Sequence, residues 1–375
     1  MSAARWRTAM NSGAGRAAMR GQTAAVALPR PGEAAISFPN LARHIGARHV
    51  VVLALLLVFP WVASPFVTYQ VGAQALALGL IALSLTFLGG FGGMISLAQM
   101  TVAGIAGYTL AIFGPVGASD AGVSLGWPWW LALAMAIVMA TAAAAFIGWL
   151  SVRTEGIYTI MITLAVGVAF YYLCLQNYAV FNGFQGFQRV NPPQLFGINW
   201  RTPVPYYYLA LFWALAGYFF VKYLLRTPFG IALQGIRDNP RRMNALGFNV
   251  TAHRIAAYAV AGVIAAVGGV LLVWYNGLIT PGSVGTSWMI NILIIAVLGG
   301  MRHPIGAFLG AIVFVLLQTF AIDLIDRERY NLVIGVVFLA IVLFSPDGLL
   351  GWWAPIRSKL TRNSSVQSTP TGGNR

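Results

Sequence analysis

The sequence predicts an all-α fold: a polytopic transmembrane helix bundle of about ten spans, with the N- and C-termini cytoplasmic. Three observations predict it. The chain of 375 residues is 59% hydrophobic and only 8% charged, whereas a soluble domain carries about a quarter charged residues. So few charges cannot cover a surface facing water, so lipid must do the covering. Apolar runs of roughly 20 residues, enough to cross a bilayer, recur along the whole length. They do not show the alternation of apolar and polar residues over about ten positions that barrel strands require. Finally, the basic residues are sorted into alternate connections between the runs, as the positive-inside rule expects.

Taken in order, residues 1–49 hold seven Arg and one acid, Glu33, and read as a basic cytoplasmic tail. The composition also fits a transit peptide or a start codon placed too early. It does not fit a secretory signal, because the apolar run begins only after His49. The transmembrane domain covers 50–351, with spans at 50–67, 70–89, 94–113, 128–150, 157–176, 206–225, 255–274, 287–300, 305–321 and 331–346. The eighth is short enough to be tilted or re-entrant. Residues 352–375 are basic, then rich in Ser, Thr, Asn and Gly, and read as a disordered cytoplasmic tail. With the N-terminus inside, the inside segments hold 19 of the 23 Lys+Arg residues. The outside segments hold only Arg189, Arg201, Arg327 and Arg329. The formal charge of +15 is thus a signature of orientation rather than of nucleic-acid binding. Of the outside segments, 177–205 is the longest, and the Tyr206–Tyr208 run near its end suits a membrane interface. Asp323, Asp326, Arg327, Glu328 and Arg329 form a mixed-charge outside patch at 322–330.

Inside the spans the residues are small or neutral. Gly306 and Gly310 form a GxxxG, and Ala261, Ala265 and Gly269 form a ladder of small residues. Both read as close helix packing. Charges are almost absent from span interiors, which argues against an ion-coupled carrier, because something must bind the coupling ion. The buried polar groups are instead Gln74, Ser84, Thr86, Ser96, Gln99, Thr101, Thr163 and Asn291. Each can line a path for a polar solute or bond to a neighbouring helix. Gln74, Ser96, Gln99, Thr163 and Asn291 are the candidates for a translocation path. Catalytic and cofactor signatures are missing: there is no G-x-x-x-x-G-K-[ST], no Ser-His-Asp or paired-carboxylate arrangement, and no metal-ligand spacing among the four histidines. The chain reads as a non-enzyme with no cofactor or metal, and Cys174 reads as a packing residue. If it pumps, the fuel is used on another chain.

The one long polar island is 222–254, with six of the Lys+Arg residues. The orientation puts it inside, with the loop proper at 226–254. Pro240 suits the first turn of a short helix and Gly247 a place just past its end. This helix is expected to dock onto a separate, energy-supplying protein.

Five blocks carry a resemblance. GFGGMISLAQMTVAGIAGY at 90–108 is similar to a Gly-rich turn followed by Ser-Leu-Gly-(His/Gln)-Ala, with Ala98 and Met100 departing from the usual Gly and Ala. VRTEGIYTIMITLA at 152–165 carries Glu155 where a basic residue is common. TPFGIALQGIRDNPRRMNALGFNV at 227–250 has Gly235 for a usual Ala. AVLGGMRHPIGAFLGA at 296–311 and LFSPDGLLG at 343–351 follow in order. Together they resemble the inner-membrane permease subunits of branched-chain amino-acid ABC importers, over about residue 90 to residue 351. The resemblance implies a bacterial inner-membrane subunit that works with a homologous second permease, two cytoplasmic ABC ATPase subunits and an extracytoplasmic substrate-binding protein. It marks Gly230, Arg237, Asp238, Asn239, Pro240, Arg241, Ala245, Leu246 and Gly247 as the segment coupling to the ATPase. Urea and aromatic-acid importers share these blocks, so those solutes stay open. The rival class is a self-sufficient secondary transporter or channel, which would need no ATPase.

Overall fold

The computed structural model describes residues 47–115, 124–154, 156–194, 197, 199–324 and a few positions between 335 and 349. Most of the tenth expected span (331–346), nearly all of the 1–49 tail, the 352–375 tail and most of the 322–330 charge patch lie outside the described residues, as does Glu155. The chain divides into two units at Leu56/Leu57. Helix α1 (Ala47–Val62) runs across that boundary. Everything that follows belongs to the second unit.

In that unit the elements run α2 (Val67–Phe91), α3 (Gln99–Phe113), α4 (Trp129–Ser151), α5 (Ile157–Gln176), α6 (Tyr178–Phe181), β1 (Phe187–Gln188), α7 (Pro203–Leu224), α8 (Pro228–Asp238), α9 (Pro240–Ala245), α10 (Val250–Asn276), β2 (Leu278–Ile279), α11 (Thr286–Gly299) and α12 (Pro304–Leu324). Five of these, α2, α4, α5, α7 and α10, are long and apolar enough to cross a membrane. They match the second, fourth, fifth, sixth and seventh expected spans. The third is cut back: residues 94–98 are not helical, and α3 is only 15 residues long. The eighth and ninth are α11 and α12, joined by a bend of 117°. They form one broken span or a re-entrant hairpin. The first expected span ends early, because the helix stops at Val62, just before Ser64-Pro65; Pro restricts its preceding residue to extended backbone.

The centre of the bundle is α2 and α10. In α2 the stretch QALALGLIALSLT at 74–86 is buried on every side, as an apolar face all round requires. Short π-helical turns flank it at Val67–Ala73 and Phe87–Phe91. Around α10 the contact is backbone against backbone. A Cβ on Gly269 would strike the Ala103 carbonyl of α3, and one on Gly262 would strike Ala144 of α4. The expected small-residue ladder Ala261, Ala265 and Gly269 is fully buried here. Helix α4 answers with its own stripe, Ala132, Ala136, Ala140, Ala144 and Gly148, all buried. Its opposite face leaves Trp130, Val138, Phe146 and Trp149 exposed for lipid. The GxxxG of α12 is also a close approach, since Gly306 and Gly310 lie against the backbone of Gly299, Gly300 and Ile295 in α11. In lipid, such packing carries the association of helices.

Two expectations are refined at the end of the bundle where α10 finishes. The fold is helical, but β1 and β2 form a two-stranded antiparallel pair, Phe187 opposite Ile279 and Gln188 opposite Leu278. Gly186 permits it, because any side chain there would meet the Ile279 carbonyl. The Tyr206–Tyr208 run is not simply an interface belt. Tyr206 and Tyr207 are buried, and Tyr206 donates to the Leu271 carbonyl inside the bundle. Tyr208 donates to the Leu57 carbonyl at 2.9 Å.

The glycine contacts generate a prediction. Gly310→Leu places a side chain against the Ile295 carbonyl and should cost about 1–3 kcal/mol, read as a lower Tm of the detergent-solubilised protein. Gly282→Ala, where the nearest atom stands 3.6 Å away, should leave Tm unchanged.

Candidate functional site

The polar island folds into two helices, one more than the sequence reading expects. Thr227 begins α8: its hydroxyl accepts from the Gly230 N–H at 3.4 Å and donates to the Leu224 carbonyl at 2.6 Å. Pro228 sits in the first turn, where its missing N–H costs nothing. Gly230, Ala232, Leu233 and Ile236 face inward. Gly230 must be glycine, because the chain doubles back on Leu224 and Leu225. Asn239 ends α8 and caps α9, its side chain accepting from the Arg242 N–H at 3.0 Å.

Helix α9 is short and buries none of its residues, so its ends must hold it. Pro240 occupies the first turn, as expected. Past the last turn Gly247 takes a φ of +88°. There the Phe248 N–H bonds to the Met243 carbonyl at 3.1 Å and the Gly247 N–H to the Asn244 carbonyl at 3.0 Å, which is the Schellman closure. Gly235 leaves room for Met243 packing back onto α8, since a Cβ there would come within 2.9 Å of the Met243 sulfur. Next, Asn249 caps α10 by accepting from the Ala252 N–H at 3.0 Å. His253 stacks on Phe229 of α8 with ring centroids 5.8 Å apart. The result is a stiff knob that exposes Arg241, Arg242, Ala245, Leu246, Gly247 and Phe248.

Arg237 ties this knob to the bundle. Its Nη1 donates to the Gly90 carbonyl at 2.7 Å, and its guanidinium pairs with Asp238 at 2.9 Å. Gly93, at φ +69°, leaves room for the Arg237 stem. On its other side, Gly90 lies directly against the Met301 carbonyl, in the bend between α11 and α12. The 89–93 turn is therefore gripped by α8 and by the bent pair. Sequence reasoning named Arg237 but missed Gly90 and Met301; the available signal was the glycine string itself.

Of the five path candidates, three come together. Ser96 (0% exposed) accepts from the Ala98 N–H at 3.3 Å. Gln99 Oε1 accepts from the Ser84 hydroxyl at 3.0 Å, and Thr163 Oγ1 accepts from the Leu97 N–H at 3.1 Å. These link α2, the segment before α3, and α5 in one polar seam. Gln74 sits elsewhere, beside the Tyr275 hydroxyl at 3.5 Å, in a cluster with Gln70 and Tyr69 that the sequence reading did not foresee. Asn291 is half-buried on α11, and no hydrogen bond joins it to the seam. Among the described residues no His, Cys, Asp and Glu cluster could hold a metal. The Cys174 side chain is buried.

An apolar exterior around a neutral polar interior, with a rigid basic knob at one end, defines a multi-pass membrane protein of the permease class. The chain belongs to the family described as branched-chain amino acid transport system / permease component, whose profile matches residues 68–342. It is similar to the high-affinity branched-chain amino acid transport system permease protein LivM of Escherichia coli (strain K12), 25% identical over 329 residues, 82% of this chain and 75% of that one. The corresponding LivH protein of the same organism is 25% identical over 291 residues, 72% of this chain and 90% of that one. The nucleoside ABC transporter permease protein NupC of Lactococcus lactis subsp. cremoris (strain MG1363) is 31% identical over 100 residues, 26% and 31% of the two chains. No solved structure matches.

The double cap of α9 can be tested directly. Asn239→Ala should cost about 1 kcal/mol of local stability, seen as faster amide hydrogen exchange across 240–245, while Asn239→Asp should retain protection.

Proposed function

We propose that the chain is the transmembrane permease subunit of an ABC importer. It moves branched-chain amino acids across the bacterial inner membrane, driven by ATP hydrolysis on separate subunits. The observation that carries this reading is the Arg237 bond to the Gly90 carbonyl. It connects an exposed, doubly capped helix to the turn leading into the polar seam, the link an external motor needs. Helix α9 offers charge and apolar surface to a soluble partner through Arg241, Arg242, Leu246 and Phe248. Similarity to both LivM and LivH of one organism supports pairing with a homologous second permease.

Transport proceeds by alternating access. An extracytoplasmic binding protein delivers the solute to the face opposite α9. Two cytoplasmic ATPases grip α8 and α9 differently in their ATP-bound and free states. Such differential contact is what shifts an equilibrium between two conformations. The solute passes neutral polar groups, of which Ser96, Gln99 and Thr163 share one seam, while Gln74 lies beside Tyr275 and Asn291 on α11. Urea and aromatic acids are the alternative solutes, and the partial likeness to a nucleoside permease adds nucleosides to them. A gradient-driven carrier is disfavoured by the scarcity of intramembrane charge.

Purification with the neighbouring gene products tests the reading. An ATPase should co-purify, and Gly247→Trp should release it. Arg237→Ala should keep the ATPase bound and active while uptake into proteoliposomes falls about tenfold or more, the loss expected for one charge-assisted hydrogen bond. Uptake without any ATPase, driven by an ion gradient, would sink the proposal.

A further inference from the structure

Helix α4 marks the depth of the bilayer. Its exposed face runs from Trp130 through Val138 and Phe146 to Trp149. Trp130 and Trp149 are separated by about 29 Å at roughly 1.5 Å per residue, which matches a hydrocarbon core of about 30 Å. Tryptophan at both ends of a lipid-facing helix places those ends at the two interfaces. Arg153 covers the Trp149 ring, its guanidinium 4.9 Å from the ring centroid. The chain just past Trp149 therefore lies at the level of the lipid headgroups.

A cavity opens at that level. It holds about 490 Å³ between the end of α4, the corner of α8 and α9, and the start of α10, within the roughly 300–1,000 Å³ of small-molecule sites. Val152, about one turn beyond Trp149, forms its α4 wall. Arg241 of α9 and Arg254 of α10 line it, together with Asn244 and Thr251. The acid among its lining residues is Asp238, whose carboxylate is paired with Arg237 at 2.9 Å. The wall thus offers two guanidiniums, an amide and a hydroxyl, while its carboxylate is already matched. Guanidinium forks suit phosphate oxygens. The cavity also follows directly on the exposed apolar face of α4, which favours an amphipathic ligand over a soluble one.

We propose that this cavity binds the phosphate headgroup of an anionic phospholipid from the adjoining leaflet, with Arg241 and Arg254 as its ligands. The acyl chains lie along Val138, Phe146 and Trp149, and the headgroup enters past Val152. Basic pockets between helices at headgroup level take lipids in this way. The site needs only a membrane setting and does not depend on the ATP-driven reading. Helix α9 buries none of its residues, so a headgroup bridging Arg241 and Arg254 holds it to α10 where its own packing does not. Arg242, Leu246 and Phe248 lie outside the cavity wall, which leaves that flank of α9 open to a soluble partner.

The test places the full chain in nanodiscs of phosphatidylcholine, or of equal parts phosphatidylcholine and phosphatidylglycerol, and follows amide exchange across 240–245. Exchange should be about tenfold slower with phosphatidylglycerol, the effect of one charge-assisted contact. Arg241→Gln and Arg254→Gln should each abolish that difference. Asn244→Trp, which fills the cavity without changing charge, should abolish it too. Lys222→Gln, an equal loss of charge at the end of α7, should keep it. An unaltered Tm in pure phosphatidylcholine shows that a variant is folded. Equal exchange of the unaltered chain in the two lipids overturns the site. So does a difference that survives Asn244→Trp, or one that Lys222→Gln also removes, which is general surface attraction. Full protection by inorganic phosphate in pure phosphatidylcholine overturns it in favour of a soluble anion. Protection that needs a co-purified protein, in either lipid, overturns it in favour of an acidic partner.

Discussion

Helices surrounded by lipid gain little from burying apolar side chains against one another, because the lipid tails are equally apolar. What remains is the distance between backbones, and in this protein that distance is set by residues with little or no side chain. Gly269 rests on the Ala103 carbonyl, Gly310 on that of Ile295, and Gly90 on that of Met301. Every other feature depends on these approaches. The polar seam exists because α2, α3 and α5 come close enough for Ser84, Gln99, Thr163 and the Leu97 amide to meet. The turn at 89–93 is held as closely, with Gly90 against the Met301 carbonyl and Gly93 against the Arg237 stem.

The same economy explains how the two ends of the bundle differ. Where α10 finishes, aromatic and hydroxyl groups cross-link the helices: Tyr69 donates to the Tyr275 carbonyl at 2.8 Å, Tyr275 to Gln70 at 2.8 Å, and Tyr206 to Leu271. Where α10 begins, one arginine and a set of helix caps do the joining. The first arrangement ties α2, α7 and α10 by several bonds. The second ties α8 to 89–93 through the Arg237 bond to the Gly90 carbonyl.

Much of this was legible in the sequence. The span 157–176 coincides with α5, because a continuous apolar run flanked by polar residues has one reading in lipid. Gly306/Gly310 and the Ala261-Ala265-Gly269 ladder announced close packing, and Pro240 and Gly247 announced the ends of α9, since each rests on local backbone chemistry. The 117° bend was not legible: Gly300 and Pro304 mark a break, but a break between two apolar runs looks the same whether the chain crosses the membrane or turns back. Tyr206 and Tyr207 misled because an aromatic run suits an interface and a core equally well. Gln74 and Ser96 were grouped by polarity alone, although sequence carries no depth. The helix α8 was signalled by Thr227-Pro228 and by apolar positions at 233 and 236, a local pattern overshadowed by the charges around it.

The bare flank of α9 also bears on how the subunit survives before assembly. Leu246 is 65% exposed and Phe248 40% exposed, just past the last turn of α9. An orphaned copy shows this apolar corner to water, and such corners are what proteases and chaperones recognise. A soluble partner seated on α9, as proposed, would cover this corner, and the lifetime of the subunit would then follow that partner's abundance.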